Sequence, residues 1–248
     1  MTISSDLQSI EQQLKQDGDT PQVRKVFWRT VGKIKRLPPN ELSDETINKA
    51  TEIRNQLFKQ KVVLGVGKGL VIFFILAHLA FFCFLWTLLY FENVISMIIV
   101  LPPLFLLILL NAVILLLTVL VAYGVYPWGR FLGGVIARVK FDGFYRYSPG
   151  ELGLKIEYSS YLRTTQSHRK WVFGFPIILV FGYLFLLLIV AWVVNLAGIW
   201  APLILVVGFG FFYLAIYYMK TGELYRFMRE VRIERELKAK KKEGKGAN

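Results

Sequence analysis

Long uninterrupted apolar blocks alternate along the chain with polar stretches whose apolar residues recur at helical spacing. From Gly69 the sequence reads GLVIFFILAHLAFFCFLWTLLYF, and a run of that length does not belong to an ordinary globular core. Four blocks predict transmembrane helices: Val62 to Phe91, Val94 to Tyr126, Trp171 to Val194 and Ile199 to Met219. About 20 residues cross a ~30 Å hydrocarbon layer, so the first two blocks are long enough to tilt, kink or project beyond it. Pro102 and Pro103 offer the second block a kink or a late start, because neither has an N–H to give. The links FENVIS and NLAGIW are short and pair the blocks as two hairpins.

The polar stretches predict helices of a different kind. Ser5-x-x-Gln8 reads as a capping box before Leu7, Ile10 and Leu14. Thr20 and Pro21 read as N-cap and first turn of a helix that aligns Val23, Phe27, Val31 and Ile34, and LPPN stops it. Ser43 caps a third helix, whose stripe of Ile47, Ala50, Ile53 and Leu57 leads into the first apolar block. These helices fit a small lid that packs on itself or offers a docking face to a partner.

The central polar stretch carries Trp128, Phe131, Leu132, Val135, Ile136 and Val139 at i, i+3, i+4, i+7, i+8 and i+11. That spacing predicts an amphipathic helix lying on the bilayer, with Arg130, Arg138 and Lys140 facing lipid phosphates. Gly133 and Gly134 weaken such a helix by ~1 kcal/mol each relative to Ala. Asp142-Gly143 between aromatic residues carries a hairpin signal, and Leu154, Ile156 and Tyr158 alternate as in a further strand. After Thr221, Leu224, Phe227, Met228 and Val231 form one stripe, Arg226, Arg229, Arg232 and Arg235 fall largely off it, and KAKKKEGKGAN predicts a fraying basic tail.

The expected fold is therefore an all-α integral membrane protein: four transmembrane helices as two hairpins, cytoplasmic amphipathic helices, and a short β-hairpin in the central loop. The expected segments are a helical stretch at 1–61, a hairpin at 62–126, an interfacial loop at 127–170, a second hairpin at 171–219 and a basic helix and tail at 220–248. Each half is a hairpin followed by a basic amphipathic segment, without a residue-level repeat.

Charge gives this arrangement a direction. The 248 residues hold 30 Lys+Arg against 17 Asp+Glu, a net charge of +13. Apart from Lys68, every positive residue lies before 62, between 127 and 170, or after 219. The positive-inside rule then places all three polar segments and both termini in the cytoplasm. Nothing at the N-terminus resembles the apolar core of a signal peptide. Anionic lipid headgroups of the bilayer are the expected partners of the basic segments. Nucleic-acid phosphates attract the same charges, but on a chain with membrane spans lipid takes precedence.

Candidate chemistry is sparse. His78 lies about halfway through the first block and His168 just before the third, far apart for a shared metal or haem. His78 and Asn111 fall at similar depth on neighbouring antiparallel helices, which fits an interhelical hydrogen bond. A proton path is the functional alternative, and no Asp or Glu occurs in any block to serve it. GVGKG at 65–69 lacks the spacing of a phosphate-binding loop. Asp142, Glu151, Glu157 and His168 stand in the central stretch without any spacing known for catalysis, and Cys83 is the single cysteine. No cofactor is expected. The leading expectation is a non-enzymatic subunit, scaffold or assembly factor of a membrane complex, with a bilayer-shaping variant, partnered by other membrane subunits or by copies of itself. The alternatives are an oligomeric channel or transporter and a lipid-modifying membrane enzyme.

Overall fold

A computed structural model describes residues 3–58, 61–97, 103–148, 151–194, 208 and 222–246. In chain order the elements are α1 (Ile3–Asp17), α2 (Pro21–Ile34), a 3-10 turn (Pro39–Glu41), α3 (Asp44–Leu57), β1 (Val62–Leu64), α4 (Val66–Met97), α5 (Pro103–Ile136), β2 (Phe141–Ser148), β3 (Glu151–Ile156), α6 (Tyr158–Arg163), α7 (Gln166–Arg169), α8 (Trp171–Val194) and α9 (Glu223–Gly246). They form two compact units. The polar unit gathers Met1–Val66, Gly134–Val172 and Phe227–Asn248, and the apolar unit holds Gly67–Gly133 and Phe173–Arg226.

In the polar unit, α2 begins where Thr20 Oγ1 accepts from the Val23 amide, 3.3 Å away, with Pro21 in the first turn. Its face of Val23, Phe27, Val31 and Ile34 is buried, each side chain contributing roughly 1.5–3 kcal/mol by leaving water. Ser43 caps α3 in the same way, through the Thr46 amide at 3.2 Å, and Ile47, Ala50, Ile53 and Leu57 turn inward. α1 packs on both α2 and α3, and α3 on α6. Two expectations need correction here. Ser5 lies inside α1 and does not open it, and α3 stops at Leu57 without running into the first apolar block.

What intervenes is a strand. The β-branched pair Val62 and Val63 belongs to β1, which joins β2 and β3 in an antiparallel sheet of order β1-β2-β3, so the chain is not all-α. β2 and β3 pair from Phe141↔Ile156 to Ser148↔Glu151. Asp142-Gly143 is therefore not the turn but lies within β2. There Asp142 reaches Lys155 across the ladder at 3.3 Å, and Gly143 adopts φ +144. A Cβ at Gly143 would stand 2.7 Å from the Leu64 carbonyl oxygen, where the register between β1 and β2 shifts. Only glycine meets both demands.

In the apolar unit, α4, α5 and α8 are long and apolar enough to cross a membrane, three such helices among the described residues. Phe84, Leu88, Ile114, Val121, Val180 and Leu187 form their common core. Phe82, Leu116, Trp192 and Val193 point outward and stay exposed, as lipid-facing side chains do. Helix α4 extends to Met97, through the stretch that reads as a link, and the fourth block, Ile199 to Met219, lies outside the described residues except for Gly208. Backbones approach closely at two glycines. A Cβ on Gly124 would lie 2.8 Å from Ala77 Cβ, and one on Gly129 would lie 2.5 Å from Pro176 Cα.

Candidate functional site

The interior of the polar unit holds an ionic cluster drawn from three distant parts of the chain. Lys35 closes α2 and is only 6% exposed. Its Nζ donates to Glu230 Oε1 at 2.8 Å and to the Tyr161 hydroxyl at 2.9 Å. Tyr161 in turn donates to the same carboxylate oxygen at 2.9 Å, so the three polar atoms form a triangle. On the other side of the carboxylate, Arg169 Nε stands 3.0 Å from Glu230 Oε2 in ionic contact. Arg169 and Glu230 are 1% and 0% exposed.

The same residues finish a helix. The last carbonyls of α2 lack intrahelical donors. Arg169 Nη2 and Gln166 Nε2 donate to the Lys35 carbonyl at 3.0 and 3.3 Å, and Gln166 Nε2 also donates to the Leu37 carbonyl just past the helix end at 2.9 Å. Two side chains of α7 thus cap α2, and the guanidinium suits the negative end of its dipole. At the rim Lys170 meets Glu234 at 2.8 Å and Arg36 meets Glu236 at 3.0 Å.

Two cations facing one carboxylate set the proton equilibria. Burial works to raise the Glu230 carboxyl, but the Lys35 and Arg169 cations and the Lys35 and Tyr161 hydrogen bonds outweigh it and hold the group down at about 2. Burial lowers Lys35 to about 7, assisted by Arg229 and Arg169 and opposed by Glu230. Both directions fit one arrangement: the carboxylate is shared, so the ammonium is only partly compensated. Tyr161 is pushed up by burial and by the neighbouring carboxylate. The cluster is enclosed, and its chemistry is that of a lock.

The residues singled out in the sequence take other places. Trp128 donates its indole N–H to the Leu70 carbonyl at 3.0 Å, and its ring stands against Phe74 and Phe131. Arg130 reaches Glu223 at 3.3 Å, where Tyr126 also donates, at 2.5 Å. Val135 is exposed on the last turn of α5, which runs as one helix through Pro127 and ends at Ile136. Arg138 ends it with φ 56. Its amide donates to the Val135 carbonyl at 3.0 Å and the Val139 amide to the Gly134 carbonyl at 2.8 Å, a Schellman closure with arginine at the left-handed position. Lys140 follows, exposed, its amide donating to Ser160 Oγ. His78 places Nδ1 2.9 Å from the Phe74 carbonyl of its own helix, and Asn111 is buried on α5. Among the described residues no group of three His, Cys, Asp or Glu side chains is placed to hold a metal ion.

Sequence reasoning passed over Lys35, Tyr161, Gln166, Arg169 and Glu230. A signal existed in α9, where Glu223, Glu230 and Glu234 recur at spacings of seven and four within a basic helix, and all three are buried. The acids, not the apolar stripe, mark much of its inward face. No family model, curated protein or solved structure matches the chain.

Proposed function

We propose that the chain is a multi-pass membrane protein that crosses the bilayer four times as two hairpins, holds the polar unit in the cytoplasm, and serves as a non-enzymatic scaffold or subunit of a membrane complex. The observation that carries this reading is that the polar unit ties together the ends of both apolar stretches. On either side of Gly67–Gly133, Val62 pairs with Tyr145 and Leu64 with Phe144. On either side of Phe173–Arg226, Arg169 meets Glu230 and Lys170 meets Glu234. Ends held by one folded body lie on one side of a membrane, so each stretch crosses an even number of times. Helices α4 and α5 supply the first two crossings. Helix α8 is one of the second pair, and the block at Ile199 to Met219 is the candidate for the other. The one-sided lysines and arginines favour the cytoplasm for that body. The scaffold reading is supported by the use of a buried acid and a buried base, Glu230 and Lys35, to fasten distant segments to one another.

Cysteines introduced singly into a Cys83→Ser background test the topology. Residues placed at Asn93 and Gly198 should react with an impermeant maleimide from outside intact cells, and those at Ser43, Ser148 and Gly244 should not. Labelling at Ser148 from outside would overturn the two-hairpin arrangement. Mild solubilisation and identification of the co-purifying chains test the role: unlike chains support a subunit, a closed homo-oligomer a channel, and a monomer with tightly held lipid an enzyme.

A further inference from the structure

A second feature of the polar unit has chemistry that the ionic lock does not use. Where α5 ends, the chain turns toward β2 beside α6 and α7 and leaves a cleft of about 620 Å³, the size of a small-molecule site. Arg138, Lys140 and Arg163 line it together with Thr165 and His168, which are in mutual contact at 2.7 Å, and with a single carboxylate, Glu157. Three cationic residues therefore line a cavity with one acid, and one oxygen of that acid already accepts from Ser159 Oγ at 3.0 Å. Neither Arg138 nor Lys140 makes a side-chain ion pair among the described residues, and Arg163 is held only by Asp44 in an exposed pair that a stronger anion can displace.

The backbone supplies an independent observation. Arg138 occupies the left-handed position of the closure, where glycine is the usual residue and a long side chain is disfavoured. A residue held in that conformation beside a cavity points to a task for its side chain. We propose that this cleft binds a phosphomonoester, whose near-double charge and three acceptor oxygens match two unengaged cations, a displaceable third and the neighbouring hydroxyl. The volume leaves room for a polyol-sized group beside the phosphate. A lipid headgroup and a soluble organic phosphate share this chemistry.

The test uses the full-length protein in uncharged detergent, titrated calorimetrically with glycerol 3-phosphate. The protein reconstituted in phosphatidylcholine nanodiscs, with and without phosphatidic acid, forms the lipid arm, read by crosslinking to a photoactivatable phosphatidic acid. Arg138→Asn keeps a residue that tolerates the left-handed conformation, and Lys140→Gln removes the second charge. Each should weaken binding by about tenfold or more, as expected for one lost charge-assisted contact, with the thermal transition unchanged. Arg232→Gln, an exposed charge on α9 away from the cleft, should leave binding as it was. Cleft-dependent binding of glycerol 3-phosphate alone supports the site with a soluble ligand, and cleft-dependent capture of phosphatidic acid supports it with a lipid. Binding in neither arm, or equal loss with Arg232→Gln, would overturn it.

Discussion

Tyr158 and Tyr161 stand side by side on α6 with their rings stacked, yet their hydroxyls differ in surroundings. Tyr161 accepts from Lys35 and donates to Glu230. The Tyr158 hydroxyl is buried with no hydrogen-bond partner among the described residues. Tyr161→Phe should therefore lower stability by about 1–3 kcal/mol, while Tyr158→Phe should leave it unchanged or raise it by about 1 kcal/mol. Paired thermal melts read both; an equal loss in the two would dissolve the distinction. Lys35 adds a pH dependence of definite sign. Between about 7 and its ordinary 10.5 the unfolded chain binds a proton that the folded chain does not, so stability rises with pH through that window. Glu230, held at about 2 against 4.5, acts at the acid end, where stability falls as pH drops through that range. Lys35→Met should flatten the rise between pH 7 and 10 relative to the parent. Parallel curves over that range would remove Lys35 as its source.

At the scale of elements, glycine separates packing from mere composition. Gly182 has no described atom within 4 Å of a Cβ built on it, whereas one on Gly129 would drive into Pro176. Gly129→Ala should cost about 1–3 kcal/mol through overpacking. Gly182→Ala should be neutral or stabilise α8 by up to ~1 kcal/mol through helix propensity. Denaturation in detergent checks both, and a larger loss at Gly182 would contradict the crossing geometry. The sequence displays Gly182, Gly129 and Gly124 alike, because composition does not say which helix face meets a neighbour. Where a local rule was sufficient, reading succeeded: the Thr20–Pro21 and Ser43 caps stand where side chain meets amide, and the stripes of α2 and α3 are buried as spaced. It failed where a distant partner decides. Asp142-Gly143 looks like a turn until Leu64 is seen against it, and Glu230 looks like a solvated charge until Lys35 arrives from α2. The cleft escaped notice for the same reason, since Arg138, Lys140 and Arg163 line one cavity only once α5, α6 and α7 are folded together.

For the molecule as a whole, the lock predicts that its two units respond separately. Glu230→Gln leaves Lys35 and Arg169 buried without their carboxylate, a loss of about 3–5 kcal/mol for a broken interior pair. Hydrogen exchange should accelerate across α2, α6 and α7, while α4, α5 and α8 keep the protection of the parent. Equal acceleration in both units would show that the lock sustains the apolar unit as well. Replacing Lys35, Arg169 and Glu230 together by Met should recover much of the loss, since an apolar cluster of similar volume carries no uncompensated charge.

The counter-charge that closes this lock is also the last of its parts to be made. Glu230 lies 195 residues after Lys35, and at the 5–20 residues per second of protein synthesis the lysine waits ~10–40 s for its carboxylate. During that interval α1 can already cover part of α2, while the Lys35 ammonium has no carboxylate and must stay in water. The lock thus closes only once α9 has been made: a ribosome that stops after α8 leaves it open. Such a product keeps the Lys35 ammonium and the Arg169 guanidinium without the carboxylate that neutralises them, the kind of defect that proteases and holdases recognise.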